Sequence, residues 1–365
     1  MRVRATNLAK GAKSRLPLMQ CADTTPLLHV RTQLPDSVMA SKYSKGQIRR
    51  AGNDLAAGSL FGSEKLEALK MVGHWRAAHI EPLRKTLAML EEVCDQDEST
   101  ILVSRLKRID TIINKLSRPG YNFILTTLRD IAGCRLIVQT DDDVRRIAKA
   151  IQSTGQCRDA KDYMLEPKQS GYRGIHLVCR HNSESYDYEN LDVEVQVRSR
   201  LQHDWATAVE IYDMITGANL KFDDGSNNQR RYFQLASALM SHDIPNQASA
   251  IEELKALDEK LSVLAVLRAA MDSMYVVYDT DSNISRSDSC LITVDIGVQQ
   301  ISLEVFTSDE ENEAADKYTE LESNEQEGLV YLLARAGSLE DLRRAYPNYY
   351  SDISEFVDWL ASCIG

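Results

Sequence analysis

Sixteen consecutive residues, Lys161 to His176, gather three cations, two tyrosines, a proline, two glycines and a histidine in a chain of net charge −11. Lys161, Lys168 and Arg173 can neutralise phosphates. Gly171 permits a sharp turn, and Tyr172 follows it with a ring whose face suits a base. Cations for phosphate beside an aromatic platform are the elements of a nucleotide site. A basic surface loop is the plainer alternative, and two other segments weigh against it. Asp130 to Val138 is an apolar, strand-like run with an acid at its mouth and Arg135 five residues on. Leu191 to Arg198 alternates strictly: Val193, Val195 and Val197 face one way, while Glu194, Gln196 and Arg198 face the other. A solvated edge strand alternates in the same way, but an acid, an amide and an arginine on one face also suit a catalytic wall. Asp130 and Glu194 are then the two carboxylates that metal-assisted phosphoryl transfer requires, one for the cation and one for the attacking hydroxyl.

Taken in order, Arg105-Leu106-Lys107, Asp130 to Arg135, Lys161 to His176, Glu194 to Arg198 and His203-Asp204-Trp205-Ala206 resemble the synthetase domain of the RelA/SpoT family of alarmone synthetases. The resemblance spans about Lys85 to Gly217. It implies a nucleotidyltransferase-like fold, a bacterial cytoplasm, and transfer of pyrophosphate from ATP to the 3′-hydroxyl of GDP or GTP, with AMP released. Glu194 is the candidate base, poised by Gln196 and Arg198. Asp130 would hold Mg²⁺, with Glu194 sharing it. The family places an arginine on each side of the adenine, here Arg105 and Arg135, a role that suits planar guanidinium. Lys107, Lys115, Lys161 and Lys168 would ring the ATP phosphates, although Lys115 also fits an ordinary solvated helix position. On the acceptor side Tyr172 would stack on guanine, with His176, Arg173, Gln196 and Arg198 around it. Trp205 reads as core.

The chain departs from the family pattern at several positions. Ser170 and Gly174 stand where asparagine and serine are common, Ser199 replaces threonine but keeps a hydroxyl, and Thr207 replaces a glutamate, leaving Glu210 as the nearest acid. The shorter side chain at 170 leaves the acceptor open. No His-Asp pair precedes the motifs, so the hydrolase domain of bifunctional members is not expected, and His242-Asp243 reads as surface. A second reading is a growth-inhibiting relative that makes (p)ppApp or pyrophosphorylates the 3′ end of tRNA, with a basic N-terminal arm meeting further phosphates. A third is a non-catalytic binder working through the C-terminal region, against which the joint presence of Asp130 and Glu194 counts.

The 365 residues, 43% hydrophobic and 27% charged, suit a soluble globular protein of one large domain or two modest ones. No apolar run approaches the roughly 20 residues that span a bilayer, and no apolar segment follows the N-terminal cations, so neither membrane contact nor a signal peptide is expected. Seven scattered cysteines, odd in number and without a CxxC pair, suggest reduced thiols, not disulfides or zinc. Residues 1–50 hold ten Lys/Arg against two Asp/Glu, and residues 301–330 a single lysine among ten acids. These ends invite contact with each other, with separate partners, or with water alone. Whether copies of the chain associate stays open.

The elements that must position the chemistry read as α+β, a mixed sheet flanked by helices with a smaller C-terminal α+β accessory module. The expected division is a basic arm over 1–42, a synthetase domain over 43–228, and a helical linker with the accessory module over 229–365. Glu64–Glu92 shows helical periodicity broken near Pro82. Strands are expected around Val103–Lys107, Asp130–Val138, Ile175–Arg180 and Glu194, with helices over Ile109–Leu116, Asp141–Thr154 and Ser199–Ile215. Beyond a loop at Gly217–Asn228, a long helix is expected over Ala248–Met274. Short strands follow at Tyr275–Thr280, Leu291–Ile296 and Gln299–Phe306, with a hairpin turn at Ile296–Gln299. Helices over Asp309–Ser323, Gln326–Arg335, Ser338–Ala345 and Ser351–Ala361 close the chain. The closing aromatics, Tyr346, Tyr349, Tyr350, Phe356 and Trp359, form a small core or a docking face.

Overall fold

The computed structural model describes residues 42–94, 99–220, 225–273, 284–295, 300–324, 328–346 and 353–365. The basic arm (all but its last residue), the strand expected at Tyr275–Thr280, the Ile296–Gln299 turn and the aromatics Tyr349 and Tyr350 lie outside the described residues.

Among the described residues three helices come first: α1 (Lys45–Ala56), α2 (Gly62–Ala77) and α3 (Ile80–Cys94). The long periodic stretch therefore divides just ahead of Pro82, which falls in the first turn of α3, where its missing N–H leaves no helical bond unmade. Then come β1 (Ile101–Leu106), α4 (Ile109–Leu116), β2 (Ala132–Val138), α5 (Asp141–Ser153), β3 (Cys157–Asp162), β4 (Ile175–Ser183), β5 (Tyr188–Ser199) and α6 (Arg200–Thr216). Ser199 caps α6: its hydroxyl accepts from Gln202 N–H while the Gln202 side chain returns to the Ser199 N–H. The remainder is α7 (Asn227–Met240), α8 (Gln247–Leu261), α9 (Val263–Ser273), β6 (Ser289–Asp295), β7 (Gln300–Phe306), α10 (Glu311–Ser323), β8 (Leu329–Arg335), α11 (Leu339–Ala345) and α12 (Ser354–Ile364).

Among the described residues eight strands form one mixed sheet in the order β3-β4-β5-β2-β1-β8-β6-β7. β2 and β5 run parallel, and the other neighbouring pairs are antiparallel. Alternation along the strands sorts the side chains. Cys134, Leu136, Val138, Leu177, Val193, Val195 and Val197 go into the main core with Leu83, Leu87 and Leu90 of α3 and Val144, Ile147 and Ile151 of α5. The opposite face carries the candidate site. Register pairs Arg105 with Gly133, Gly133 with Glu194, Arg135 with Gln196, Gln196 with His176, and His176 with Lys161, so these residues share a face across five strands.

Four expectations need correction. The helix expected over Gln326–Arg335 is strand β8. Its run Leu329-Val330-Tyr331-Leu332-Leu333 is apolar at every position because both faces are covered, which erases the two-residue alternation that marks a half-exposed strand. Because β8 pairs with β1, Ser104 opposite Arg335 and Arg105 opposite Ala334, the C-terminal strands continue the sheet instead of forming a module apart. Residues 38–365 make one unit. The long helix over Ala248–Met274 divides at Ser262, whose φ of 53° is left-handed and ends α8. Finally, Cys157 and Cys179 are joined as a disulfide: β3 and β4 set them directly opposite, with Cα atoms 4.1 Å apart, a pairing that sequence spacing does not reveal. Cys94, Cys134, Cys290 and Cys363 are free, as expected of them.

Candidate active site

β5 lifts Glu194, Gln196 and Arg198 onto the open face, and β4 sets His176 beside Gln196. Their side chains close a circuit. Arg198 Nη2 donates to Gln196 Oε1 at 2.8 Å, and Gln196 Nε2 donates to Glu194 Oε2 at 2.6 Å. On the other arm Arg198 Nε donates to the Tyr172 hydroxyl at 2.8 Å, that hydroxyl meets His176 Nε2 at 2.5 Å, and His176 Nδ1 meets Glu194 Oε1 at 3.1 Å. One assignment of protons satisfies every link: Tyr172 O–H donates to Nε2 of a neutral imidazole, whose Nδ1–H donates to the carboxylate. Both arms begin at Arg198 and end on Glu194. Burial by itself would raise the Glu194 carboxyl, but the bonds from His176 and Gln196, helped by the charge on Lys107, bring it down to about 2. Burial lowers His176 against the pull of Glu194, and Arg198 and Lys168 push the same way. Glu194 is thus ionised and its histidine neutral near pH 7.

Asp130 sits just ahead of β2. Lys107 Nζ and Lys115 Nζ both bind its Oδ2, at 2.6 and 2.8 Å. Burial would raise Asp130, and the two ammonium groups outweigh it and hold the carboxyl low. Burial in turn lowers Lys107, as do Lys115 and Arg105, while Asp130 opposes them. Lys115 therefore faces the site and is no ordinary solvated position. Lys107 links the two acids: it is bonded to Asp130 and close enough to Glu194 to help keep it ionised. Asp130 Oδ1 is buried with no hydrogen-bond partner among the described residues.

Arg105 and Arg135 share a patch, and an aromatic ring lies against both of them. Tyr346, at the end of α11, has its ring centroid 5.9 Å from the Arg105 guanidinium carbon and 5.7 Å from that of Arg135. Arg135 Nη1 donates to Ala345 O at 2.6 Å, and His203 Nε2 donates to Arg344 O at 2.9 Å, so α11 is tied down on this face. The ring is 2% exposed. Burial, with Arg198 and Arg105 nearby, pulls Arg135 down to about 10. Sequence reading placed Tyr346 in a small core among the closing aromatics; only the sheet shows that this core covers the two arginines.

The basic loop divides its residues. Lys168 lies over the Tyr163 and Tyr172 rings, 4.6 and 4.5 Å from their centroids, and Arg198 is 4.7 Å from that of Tyr172. Both cations thus lie against the ring of Tyr172. Lys161 is exposed on β3 opposite His176. Arg173 corrects the sequence reading. It turns away from the acceptor side and is spent on α7, donating to Ser237 Oγ at 3.1 Å and to Met164 O at 3.3 Å and pairing with Asp243 at 2.6 Å. Asp243 is exposed, as read from sequence, and also anchors that arginine. At Gly171 the backbone φ is 94° and a Cβ would stand 3.1 Å from Gln234 Cα, so both the turn and the contact with α7 demand glycine. Sequence reading also missed Tyr163, whose ring meets the His176 ring edge-on with centroids 5.1 Å apart. The acid expected in the helix, Glu210, lies close enough to Arg135 and His203 to act on both electrostatically. Trp205 is core, donating to Phe233 O at 3.0 Å.

Residues 104–212 match a family model described as the region found in RelA / SpoT proteins. Over 119 residues the chain is 31% identical to the GTP pyrophosphokinase YjbM of Bacillus subtilis (strain 168), covering 31% of this chain and 56% of that protein. It is 30% identical over 111 residues to the GTP pyrophosphokinase YwaC of the same organism, covering 28% of this chain and 53% of that protein. The chain thus spans about half the length of these curated relatives. Among solved structures, small alarmone synthetase 1 from Bacillus subtilis bound to its product pppGpp aligns over 51% of this chain and 90% of that chain, at 24% identity and a TM-score of 0.36.

Proposed function

We infer, from a chain that carries a RelA/SpoT domain over residues 104–212, that it transfers a pyrophosphoryl group from ATP to the 3′-hydroxyl of GDP or GTP. The observation that supports this most is the circuit that ends on Glu194: a half-buried carboxylate kept ionised within reach of Lys107 and Lys168. In this reading the acceptor 3′-oxygen attacks the β-phosphorus of ATP, the bond to the α-phosphate oxygen breaks, and AMP leaves. The hydroxyl proton passes to Glu194. A carboxylate at about 2 is a weak base. Phosphoryl transfer through a loose transition state asks for little proton removal before the new bond forms, so orienting the hydroxyl is Glu194's larger contribution.

Lys107, Lys115 and Lys168 take the donor phosphates, and Lys161, exposed beside them, extends the positive rim. Mg²⁺ fits one oxygen here. Asp130 Oδ1 is buried with no partner among the described residues, whereas both Glu194 oxygens are occupied. A single carboxylate oxygen with substrate phosphates is a sufficient ligand set for this ion. When bound, it neutralises charge gathering on the transferred group. Glu194 would share it only by releasing His176 or Gln196. The donor base stacks on Arg105 and Arg135 once Tyr346 has left them.

One observation favours a second acceptor, the 3′ end of an RNA. Beside the 168–171 loop a groove of about 360 Å³ is lined by Gln169, Asn227, Arg230, Arg231 and Gln234. Phosphates beyond the reacting nucleotide would meet cations there. Incubating the full chain with radiolabelled ATP, Mg²⁺ and GDP, GTP, AMP or deacylated tRNA separates the readings. Label on GDP or GTP supports the first, label on RNA alone the second, and label on no acceptor rejects both.

A further inference from the structure

Helix α10 belongs to the C-terminal region of the chain, yet its last turn reaches the donor side of the site. It lies against α2 at unusually short range: a Cβ on Gly73 would stand 2.3 Å from Thr319 Cγ2, so the approach requires glycine. Across this contact Arg76, 1% exposed, is paired with Glu322, donates to Thr319 Oγ1 at 2.9 Å, and lies 4.2 Å from the Tyr318 ring centroid. Burial pushes the Glu322 carboxyl up, and Arg76 works against that rise.

Two further bonds leave this pair, and both go to one short peptide. Arg76 Nη1 donates to Lys107 O at 3.3 Å, and Glu322 Oε1 accepts from Ile109 N–H at 3.2 Å. The second satisfies one of the open donors at the start of α4 with a negative charge, the sign a helix N-terminus favours. On either side of that peptide stand the two lysines that converge on Asp130 Oδ2: Lys107 directly, and Lys115 two turns along α4. A surface ion pair has no such reach. This one is buried, crosses between two helices far apart in sequence, and spends its remaining hydrogen bonds on the backbone that carries the phosphate-binding side chains.

We propose that Arg76 and Glu322 are positioning residues of the donor site: the pair fixes the peptide from Lys107 to Ile109 so that Lys107 and Lys115 meet at Asp130, which makes α10 a member of the frame that binds the donor phosphates. The inference rests on reading those lysines as phosphate ligands. The C-terminal region then acts on one substrate in opposite directions, since α10 supports the phosphate end while Tyr346 covers the patch for the base.

The test uses full-length protein carrying Tyr346→Ala, so that loosening the C-terminal helices cannot act by uncovering the arginines. Into it go Glu322→Ala, Glu322→Gln and Gly73→Ala, one at a time. Glu322→Ala is expected to raise the KM for ATP about tenfold and leave the acceptor KM unchanged, the cost of misplacing a binding group by a fraction of an ångström. Glu322→Gln keeps an oxygen for Ile109 N–H and recovers most of that loss. Gly73→Ala changes no charge and matches Glu322→Ala. Equal rises in both KM values, or a lower melting temperature with unchanged kinetic constants, would overturn the proposal and leave the pair a stabilising one. If the Tyr346→Ala parent transfers label to no acceptor, the transferase reading fails separately. Calorimetric binding of magnesium–ATP to the same four proteins then decides: about tenfold weaker binding in Glu322→Ala and Gly73→Ala supports the positioning role, and equal binding overturns it.

Discussion

Replacing Tyr346 with alanine should make the protein a better ATP user, an unusual expectation for the loss of a buried aromatic side chain. The ring lies 5.9 Å from Arg105 and 5.7 Å from Arg135, near the outer limit of cation–π attraction, so each contact is worth about 0.5–1 kcal/mol. Together they hold the ring on the arginines by about 1–2 kcal/mol, or roughly 5–30-fold in the apparent affinity of a competing base. Tyr346 also belongs to the apolar cluster of Ile101, Val103, Ile137 and Leu332, so this range is a floor. The assay is initial-rate kinetics with ATP varied at saturating acceptor. Tyr346→Ala should lower the KM for ATP at least about fivefold, with the acceptor KM unchanged. Tyr346→Phe keeps the ring, loses the 3.4 Å bond from the hydroxyl to Ser104 O, and should stay near wild type. An unchanged or higher KM for ATP in a folded Tyr346→Ala protein would refute the view that the ring and the donor base compete for one patch.

Three other outcomes follow from the same geometry. Glu194→Gln removes the charge on which both arms of the circuit converge and should lower kcat by about 10²–10⁴ with the far-ultraviolet circular dichroism unchanged; retained activity removes Glu194 from the chemistry. Tyr172→Phe deletes the hydroxyl between Arg198 and His176 and should raise the acceptor KM about tenfold while sparing that for ATP; equal effects on the two would place Tyr172 elsewhere. Acid should destabilise the fold through its buried neutral histidines. Burial brings His79 from 6.5 to about 4, so the unfolded chain takes up the proton first, and His79's stabilisation is full above pH 6.5 and lost toward pH 4. From pH 7 to pH 5 this one group contributes about 2 kcal/mol of loss, with His176 and His203 adding in the same direction. Urea unfolding of wild type and His79→Asn at the two pH values measures the difference, and identical pH dependence in the two proteins contradicts it.

Local patterns gave up much of this architecture. The alternation of Val193, Val195 and Val197 with Glu194, Gln196 and Arg198 assigned both faces of β5, because one face is core and the other is a polar site. Arg105, Arg135, Lys161 and His176 share that face because strands have a period of two. What escaped was either masked by double burial or set by distant chain. β8 is apolar from Leu329 to Ala334, so its pairing with β1, and with it the single continuous sheet, left no alternation to read. Helix α7 did leave a signal, with Tyr232, Phe233, Leu235, Ala236 and Leu239 buried at helical spacings behind a Ser226–Gln229 capping box. Missing α7 meant missing the fate of Arg173, whose partners Ser237 and Asp243 lie in and just beyond it. Tyr346 is 211 residues from Arg135 along the chain, and no local pattern joins them.

The central claim, that the Glu194 circuit and the Asp130 lysines serve pyrophosphoryl and not phosphoryl transfer, is tested most directly by the adenine nucleotide left behind. With the competent acceptor in excess and enzyme above ATP, a quenched single turnover should yield AMP in equal amount with an acceptor two phosphates heavier. ADP with an acceptor one phosphate heavier would contradict the account at its root.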